Sequence, residues 1–246
     1  MKASPQAQRR LLDLQAIDTA LAQLAHRRRT LPELAEIDVA AREMSAHADA
    51  RARAQVAVDD LDRDISRYEK DIEQVRVRKE RDQTRINSGN GPVRELEALQ
   101  HELATLNRRQ SELEDAELEL MEKREAALAE LDSVQARLAD ARDRRDAAEA
   151  RRDAAYAEIG KEQDFKTSSR QPLAADLPAD LITLYDKIRA DSGGLGAALV
   201  RSGRCGGCRI ELYGADLARV KSAPADEVVR CEECRRIMVR TTESGL

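Results

Sequence analysis

The chain of 246 residues is 36% charged and only 2% aromatic, with a single Phe and no Trp, and forty of its apolar residues are alanine. That excludes the thick core of most globular enzymes and fits long helices or coiled coils with a small attachment. A net charge of -5, from 42 Lys and Arg against 47 Asp and Glu, excludes a polycation that binds nucleic acid through overall charge alone.

The residues after Met1 lack an apolar signal region, and nowhere do 18 uncharged apolar residues run together. A cytoplasmic protein with no membrane segment is therefore expected. Ser4-Pro5 supplies a cap and a first-turn proline, and Leu14, Ile17, Leu21 and Leu24 follow at helical spacing. Thr30-Leu-Pro-Glu33 then marks either a fresh cap or a kink, and the matching lengths of the two arms favour the kink.

Neither Gly nor Pro occurs in the 56 residues from Glu33 to Ser88 or in the 67 from Val93 to Ile159. Helices of these lengths would span roughly 80 and 100 Å. The first segment carries a seam through Leu34, Ile37, Ala41, Met44, Ala48, Arg51, Ala54, Val58, Leu61, Ile65, Tyr68, Ile72 and Val75, with a local overwinding expected between Arg51 and Ala54. In the second, steps of three and four run unbroken from Leu96 through Leu113, Leu131, Val134, Leu138, Ala141 and Ala148 to Ile159, the seam of a left-handed coiled coil. Gln110, Glu117, Arg124, Arg145 and Arg152 interrupt it, as solvent-facing stretches or register-setting pairs, and leave monomer and dimer both open. Between the segments, Asn87-Ser-Gly-Asn-Gly-Pro92 is a turn, so the arms fold back antiparallel.

The expected architecture is mostly α. Residues 1–163 form a long kinked antiparallel coiled-coil hairpin with its turn near 87–91, 164–196 a linker with one short amphipathic helix, and 197–246 a small β-rich ribbon. After the heptad ends, Lys161 to Ala175 reads as a polar stretch running into the linker, and Ala179 to Ala190 as its helix. Short strands are expected at Ala198–Arg201, Val228–Arg230 and Ile237–Arg240.

The chemistry concentrates in that last segment. Cys205-Gly-Gly-Cys208 and Cys231-Glu-Glu-Cys234 stand 22 residues apart, slightly beyond the commonest zinc-ribbon spacing. Two such turns, each aiming two thiolates at one point, complete a tetrahedral Zn²⁺ site with no open position, hence structural rather than catalytic zinc. The competing assignment, a redox dithiol or two disulfides, lacks the βαβ pattern that usually accompanies it. Arg204, Arg209, Arg235 and Arg236 flank the turns as candidate contacts for an RNA, DNA or protein partner, although Tyr213 is the one stacking aromatic nearby.

A second cluster, Arg76, Arg78, Lys79, Arg81 and Arg85, sits before the hairpin turn, with Arg78, Arg81 and Arg85 on one helical face. It is either a solvated face or a site for phosphate. The Arg81-x-x-x-Arg85 spacing resembles an arginine element of some cyclic-dinucleotide receptors, though the companion Asp/Asn-x-Ser-x-x-Gly element is absent. His26, His47 and His101 lie far apart with no nucleophile or acid arranged around them, so no catalytic centre is expected.

The order of these features resembles the bacterial family of coiled-coil hairpin proteins that end in a C4-type zinc ribbon. The resemblance is carried by Glu95-Leu-Glu-Ala-Leu-Gln-His-Glu102, by Leu177-Pro-Ala-Asp-Leu-Ile-Thr-Leu-Tyr-Asp-Lys-Ile188, and by Cys205-Gly-Gly-Cys208 with Cys231-Glu-Glu-Cys-Arg-Arg-Ile237. It implies an elongated hairpin with the ribbon packed near its base, zinc on Cys205, Cys208, Cys231 and Cys234, and a non-enzymatic adaptor. Partners in transcription, secretion or flagellar machinery, and RNA, are what the resemblance implies.

Overall fold

The computed structural model describes residues 1–246. The chain divides into two compact units, Ala35–Glu149 and a second made of Met1–Leu34 with Ala150–Leu246. Helices α1 (Pro5–Arg29), α2 (Pro32–Ser88), α3 (Val93–Ala175) and α4 (Ala179–Asp191) precede the small sheet. The bend expected at Thr30-Leu-Pro is a two-residue break: the Thr30 amide turns back onto the carbonyls of His26 and Arg27, and Pro32 starts α2.

In the unit Ala35–Glu149, α2 and α3 form an antiparallel coiled-coil hairpin. Its cross-pairs establish the direction, because the α3 partner moves backward as the α2 residue advances. Glu43 meets Arg144, Asp62 meets Arg124, Arg76 meets Glu114, and Arg85 meets Glu95. Every α3 seam position named from periodicity lies buried or half-buried, with Leu113, Leu131, Val134, Leu138, Ala141 and Ala148 fully so.

On α2 the phase differs near its start. Ala40 is buried and Ala41 exposed, and His47 and Ala50 are half-buried where Ala48 and Arg51 are exposed. In a run this rich in alanine, neighbouring residues contribute nearly equal apolar area, so the opposing helix rather than the local pattern selects the inward one. Two of the seam's polar interruptions are cross-helix ties: Gln110 accepts from Lys79, and Arg124 donates to Asp62. The turn itself needs Gly89 in the left-handed region at φ 65°.

In the second unit, α3 continues beyond the heptad. The polar stretch Lys161–Ala175, read from sequence as the start of a linker, is helical. Arg170 explains why: it donates to Asp18 on α1 and to Asp186 on α4, and Leu173 and Ala174 pack against the core beside it. Pro172 lies in the last turn, and its carbonyl accepts from the Asp176 amide as the helix ends.

The sheet follows, with β1 (Ala197–Arg201), β2 (Arg204–Cys205), β3 (Val229–Arg230) and β4 (Ile237–Val239) in the order β2-β1-β4-β3. Only β1 and β4 run parallel. Between β2 and β3 lies a helix the sequence reading did not anticipate, α5 (Gly214–Ser222), whose Leu217 and Val220 pack into the ribbon core. It occupies part of the long interval between the two cysteine pairs.

The alternation of β4 joins the ribbon to the helices. Ile237 and Val239 face a core built from Leu11 and Leu14 of α1 and Leu181, Tyr185 and Ile188 of α4. Met238, on the opposite face, meets Val200, Val220, Cys205 and Cys231. The N-terminus closes the arrangement: the Ala3 amide donates to the Asp226 carbonyl and the Val228 amide to the Met1 carbonyl.

Candidate metal centre and arginine groove

Two tight turns bring the cysteines together. In the first, the Arg209 amide closes onto the Cys205 carbonyl; in the second, the Arg235 amide closes onto that of Cys231. Arg209 and Arg235 occupy the left-handed region at φ 65° and 60°. Gly206 is required because a side chain there would place its first carbon 2.5 Å from the Leu199 carbonyl oxygen, the same oxygen that accepts from the Gly206 amide.

The four sulfurs lie within 4.8 Å of one another. Sγ of Cys205 is 3.8 Å from that of Cys234, and Cys208 is 3.8 Å from Cys231, so the sulfurs are unbonded. A regular tetrahedron with metal–sulfur bonds of about 2.3 Å has edges of about 3.8 Å, so the donor set fits Zn²⁺. The electrostatics agree. Burial pushes the Cys205 thiol up, and pushes that of Cys231 up to about 12, against amide donors from Gly207 and Cys208 at the first and Glu233 and Cys234 at the second. At Cys234 burial acts the same way but is outweighed by the backbone and side chain of Arg236 and by the facing thiols, which hold it at about 7. Four close thiols cannot all ionise without a counter-charge, and a divalent metal supplies it.

The flanking arginines divide. Arg236 is half-buried, and its guanidinium donates to the carbonyls of Ser192 and Leu195, tying the second turn to the end of α4. Arg204 pairs with Glu211, and Arg235 with Glu232. Arg209 is exposed and unpaired, beside the exposed side chains of Ile210 and Tyr213.

Near the hairpin turn, Arg78, Arg81 and Arg85 do converge, lining one groove of about 540 Å³ with Glu73, Gln74, Val77, Asp82, Leu99 and Glu102. Arg76 does not join them, because it reaches across to Glu114. Arg78 is held by Glu102 and Arg85 loosely by Glu95 at 3.9 Å, which leaves Arg81 as the unpaired cation.

Sequence reasoning missed a buried polar knot beside the sheet. Gln15 Oε1 accepts from the amides of Gly196 and Ala197 and from Tyr185 Oη, while its Nε2 donates to the Gly194 carbonyl. Asp18, with a side chain only 1% exposed, accepts from Arg170, Arg189 and Tyr185. Burial and the bond to Asp18 push the Tyr185 phenol well above its usual range. Gln15 and Asp18 stand three positions apart, a spacing that puts both on one helical face, but nothing local distinguishes that face from a solvated one.

The fold and site define a class: an antiparallel coiled-coil hairpin joined to a ribbon with four cysteines arranged for structural zinc. Family models agree, a CT398-like coiled coil hairpin domain over residues 14–193 and a C4-type zinc ribbon domain over 204–238. The chain belongs to the CT398-like coiled-coil hairpin family. It is 41% identical over 240 residues to an uncharacterized protein of Mycobacterium tuberculosis, covering 98% of each chain. A solved structure from Mycobacterium smegmatis shares 36% identity at a TM-score of 0.87, covering 98% of this chain and 100% of that one. CT398 from Chlamydia trachomatis shares the fold at 19% identity, with a TM-score of 0.70 over 96% of this chain and 98% of that one. No helix is long and apolar enough to cross a membrane.

Proposed function

We propose that the protein is a non-enzymatic adaptor of the cytoplasm, whose zinc ribbon presents a recognition surface to a protein or nucleic-acid partner in transcription or RNA regulation. The observation that carries this reading is the outer edge of the first cysteine turn. Tyr213 is 67% and Ile210 47% exposed, and the unpaired Arg209 lies between the knuckle and both of them. Tyr and Arg are the residue types that dominate binding energy at interfaces, and here a metal-organised turn fixes the backbone that carries them. The zinc site, with four sulfur ligands, leaves no position for a substrate or a reactive water.

The test is affinity capture from native cytosol with nuclease and nucleotide controls, comparing the wild-type chain with an Arg209→Ala, Tyr213→Ala double variant that retains its zinc. A partner bound by the first and lost by the second supports the surface. Its resistance or sensitivity to nuclease assigns the class. Equal recovery with both chains removes the ribbon edge from the reading.

A second reading, a sensor for a cyclic dinucleotide or other phosphate ligand, is favoured by the groove that gathers Arg78, Arg81 and Arg85. Calorimetry with cyclic dinucleotides tests it, and affinity unchanged in an Arg81→Ala, Arg85→Ala variant rejects the site.

A further inference from the structure

The arginine groove contains a feature that phosphate binding alone does not use. Asp82, on the face of α2 turned toward α3, is only 8% exposed, yet its Oδ2 has no hydrogen-bond partner and its carboxylate no ion pair. Leaving a buried carboxylate oxygen unsatisfied is costly, and such a group calls for a missing donor. Arg78 and Arg85 share the groove lining but are drawn to Glu102 and Glu95 instead.

The charge balance of the lining narrows what that donor belongs to. Arg78, Arg81 and Arg85 are matched in number by Glu73, Asp82 and Glu102. A bare anion gains little from such a surface, whereas a ligand with an anionic end and a hydrogen-bond donor edge satisfies both signs. Val77 and Leu99 add apolar wall for a flat body, and the volume lies within the range of about 300–1,000 Å³ common for small-molecule sites.

We infer that this groove binds a guanine nucleotide, with the Asp82 carboxylate accepting from the guanine N1–H and N2 amino group and Arg81 and Arg85 engaging phosphate. Guanine presents two adjacent donors on its pairing edge, which match the two oxygens of a carboxylate; adenine presents one donor beside an acceptor, which a carboxylate repels. Arg81, free of any internal partner, supplies a guanidinium able to pair with phosphate oxygens in a forked manner. The inference rests on the second reading above, that the groove takes a phosphate-bearing ligand, and adds the base.

Isothermal titration calorimetry on the full zinc-loaded chain tests it with GTP and cyclic diguanylate, against ATP, cyclic diadenylate and inorganic phosphate. The expected result is guanine over adenine by about tenfold or more, the discrimination that one bidentate base contact gives. Arg81→Ala should weaken every nucleotide, while Asp82→Asn should abolish the guanine preference and leave a weaker, base-indifferent affinity. Circular dichroism controls for folding, and Asp82→Asn should melt no lower than wild type, since a neutral amide is cheaper to bury than a carboxylate. Equal affinity for guanine and adenine, or a guanine preference that survives Asp82→Asn, overturns the base assignment while leaving a phosphate site standing. No saturable binding of any nucleotide at millimolar concentration overturns both.

Discussion

Strand β4 and the middle of α3 are both lined with apolar residues, but they bury them differently. All three residues of β4 are fully enclosed, two against the helices α1 and α4 and one against the cysteine cluster. Along α3, Leu131, Val134, Leu138 and Ala141 are buried while every residue between them is exposed. One region is closed on both faces by segments distant in sequence, the other on a single stripe by its neighbour in the hairpin. A stripe repeats, so each layer contributes a similar small increment; a two-faced sheet of short strands stands or falls as a whole.

The largest expected effect therefore comes from removing the metal. Structural zinc contributes about 10–16 kcal/mol in small metal-dependent domains, and Val200, Val220 and Met238 pack in one cluster with Cys205 and Cys231. Chelation, or Cys205→Ser, should abolish the chemical-shift dispersion of residues 197–246 while most of the helical ellipticity survives, because α2 and α3 supply most of the helix. The same centre fixes a pH dependence. Burial keeps Cys205 and Cys231 protonated near neutral pH when no metal is bound, so zinc must displace those protons. Affinity for zinc should fall as pH falls, and release followed with a colorimetric indicator should be complete in mild acid. Retention of zinc unchanged from pH 8 to pH 5 would contradict the four-thiolate assignment.

Next comes the polar knot. Asp18→Ala leaves the guanidinium groups of Arg170 and Arg189 and the Tyr185 hydroxyl without their common acceptor. Removing one member of a buried, paired charge network costs about 3–5 kcal/mol. Urea denaturation should show this loss, and α4 should gain amide exchange before the hairpin does. A smaller cost is expected for Leu138→Ala in the hairpin, about 2–3 kcal/mol at the low end for a buried leucine, because the two-helix seam is open to solvent on both sides and can close over the gap. If Leu138→Ala proves costlier than Asp18→Ala, the contrast between the two regions is wrong.

The same contrast accounts for what could be read from the sequence. The hairpin follows from glycine- and proline-free segments and a heptad, both local, and the zinc ligands from spacing alone. The phase of α2 at Ala40 was not legible, since two adjacent alanines are indistinguishable until a partner helix chooses between them. Nor was the knot: Gln15 and Asp18 are ordinary surface residues of a helix until Tyr185, Arg170 and Gly196 arrive from more than 150 positions away. The helical state of Lys161–Ala175 is likewise imposed by the long-range ties of Arg170. Of the ribbon arginines, composition could not separate Arg236, consumed by two carbonyls, from Arg209, left free.

The smallest expected effect on stability concerns the seam's polar ties, and its sign is informative. Arg124 and Asp62 are both more than 40% exposed, so their pair should contribute no more than about 1 kcal/mol, and Gln110 with Lys79 no more. A heptad seam rich in Leu and Ala, however, offers near-equivalent alignments one heptad apart, and polar residues within it select one at some cost in stability. A Gln110→Leu, Arg124→Leu double variant should therefore melt at or above the wild-type temperature yet give multiple resonances for hairpin amides, as the two helices sample shifted registers. A lower melting temperature with a single set of resonances would show instead that these ties hold the hairpin together rather than align it. In that case the register would have to be set by the short turn at Gly89 and by the cross-pair of Glu43 with Arg144.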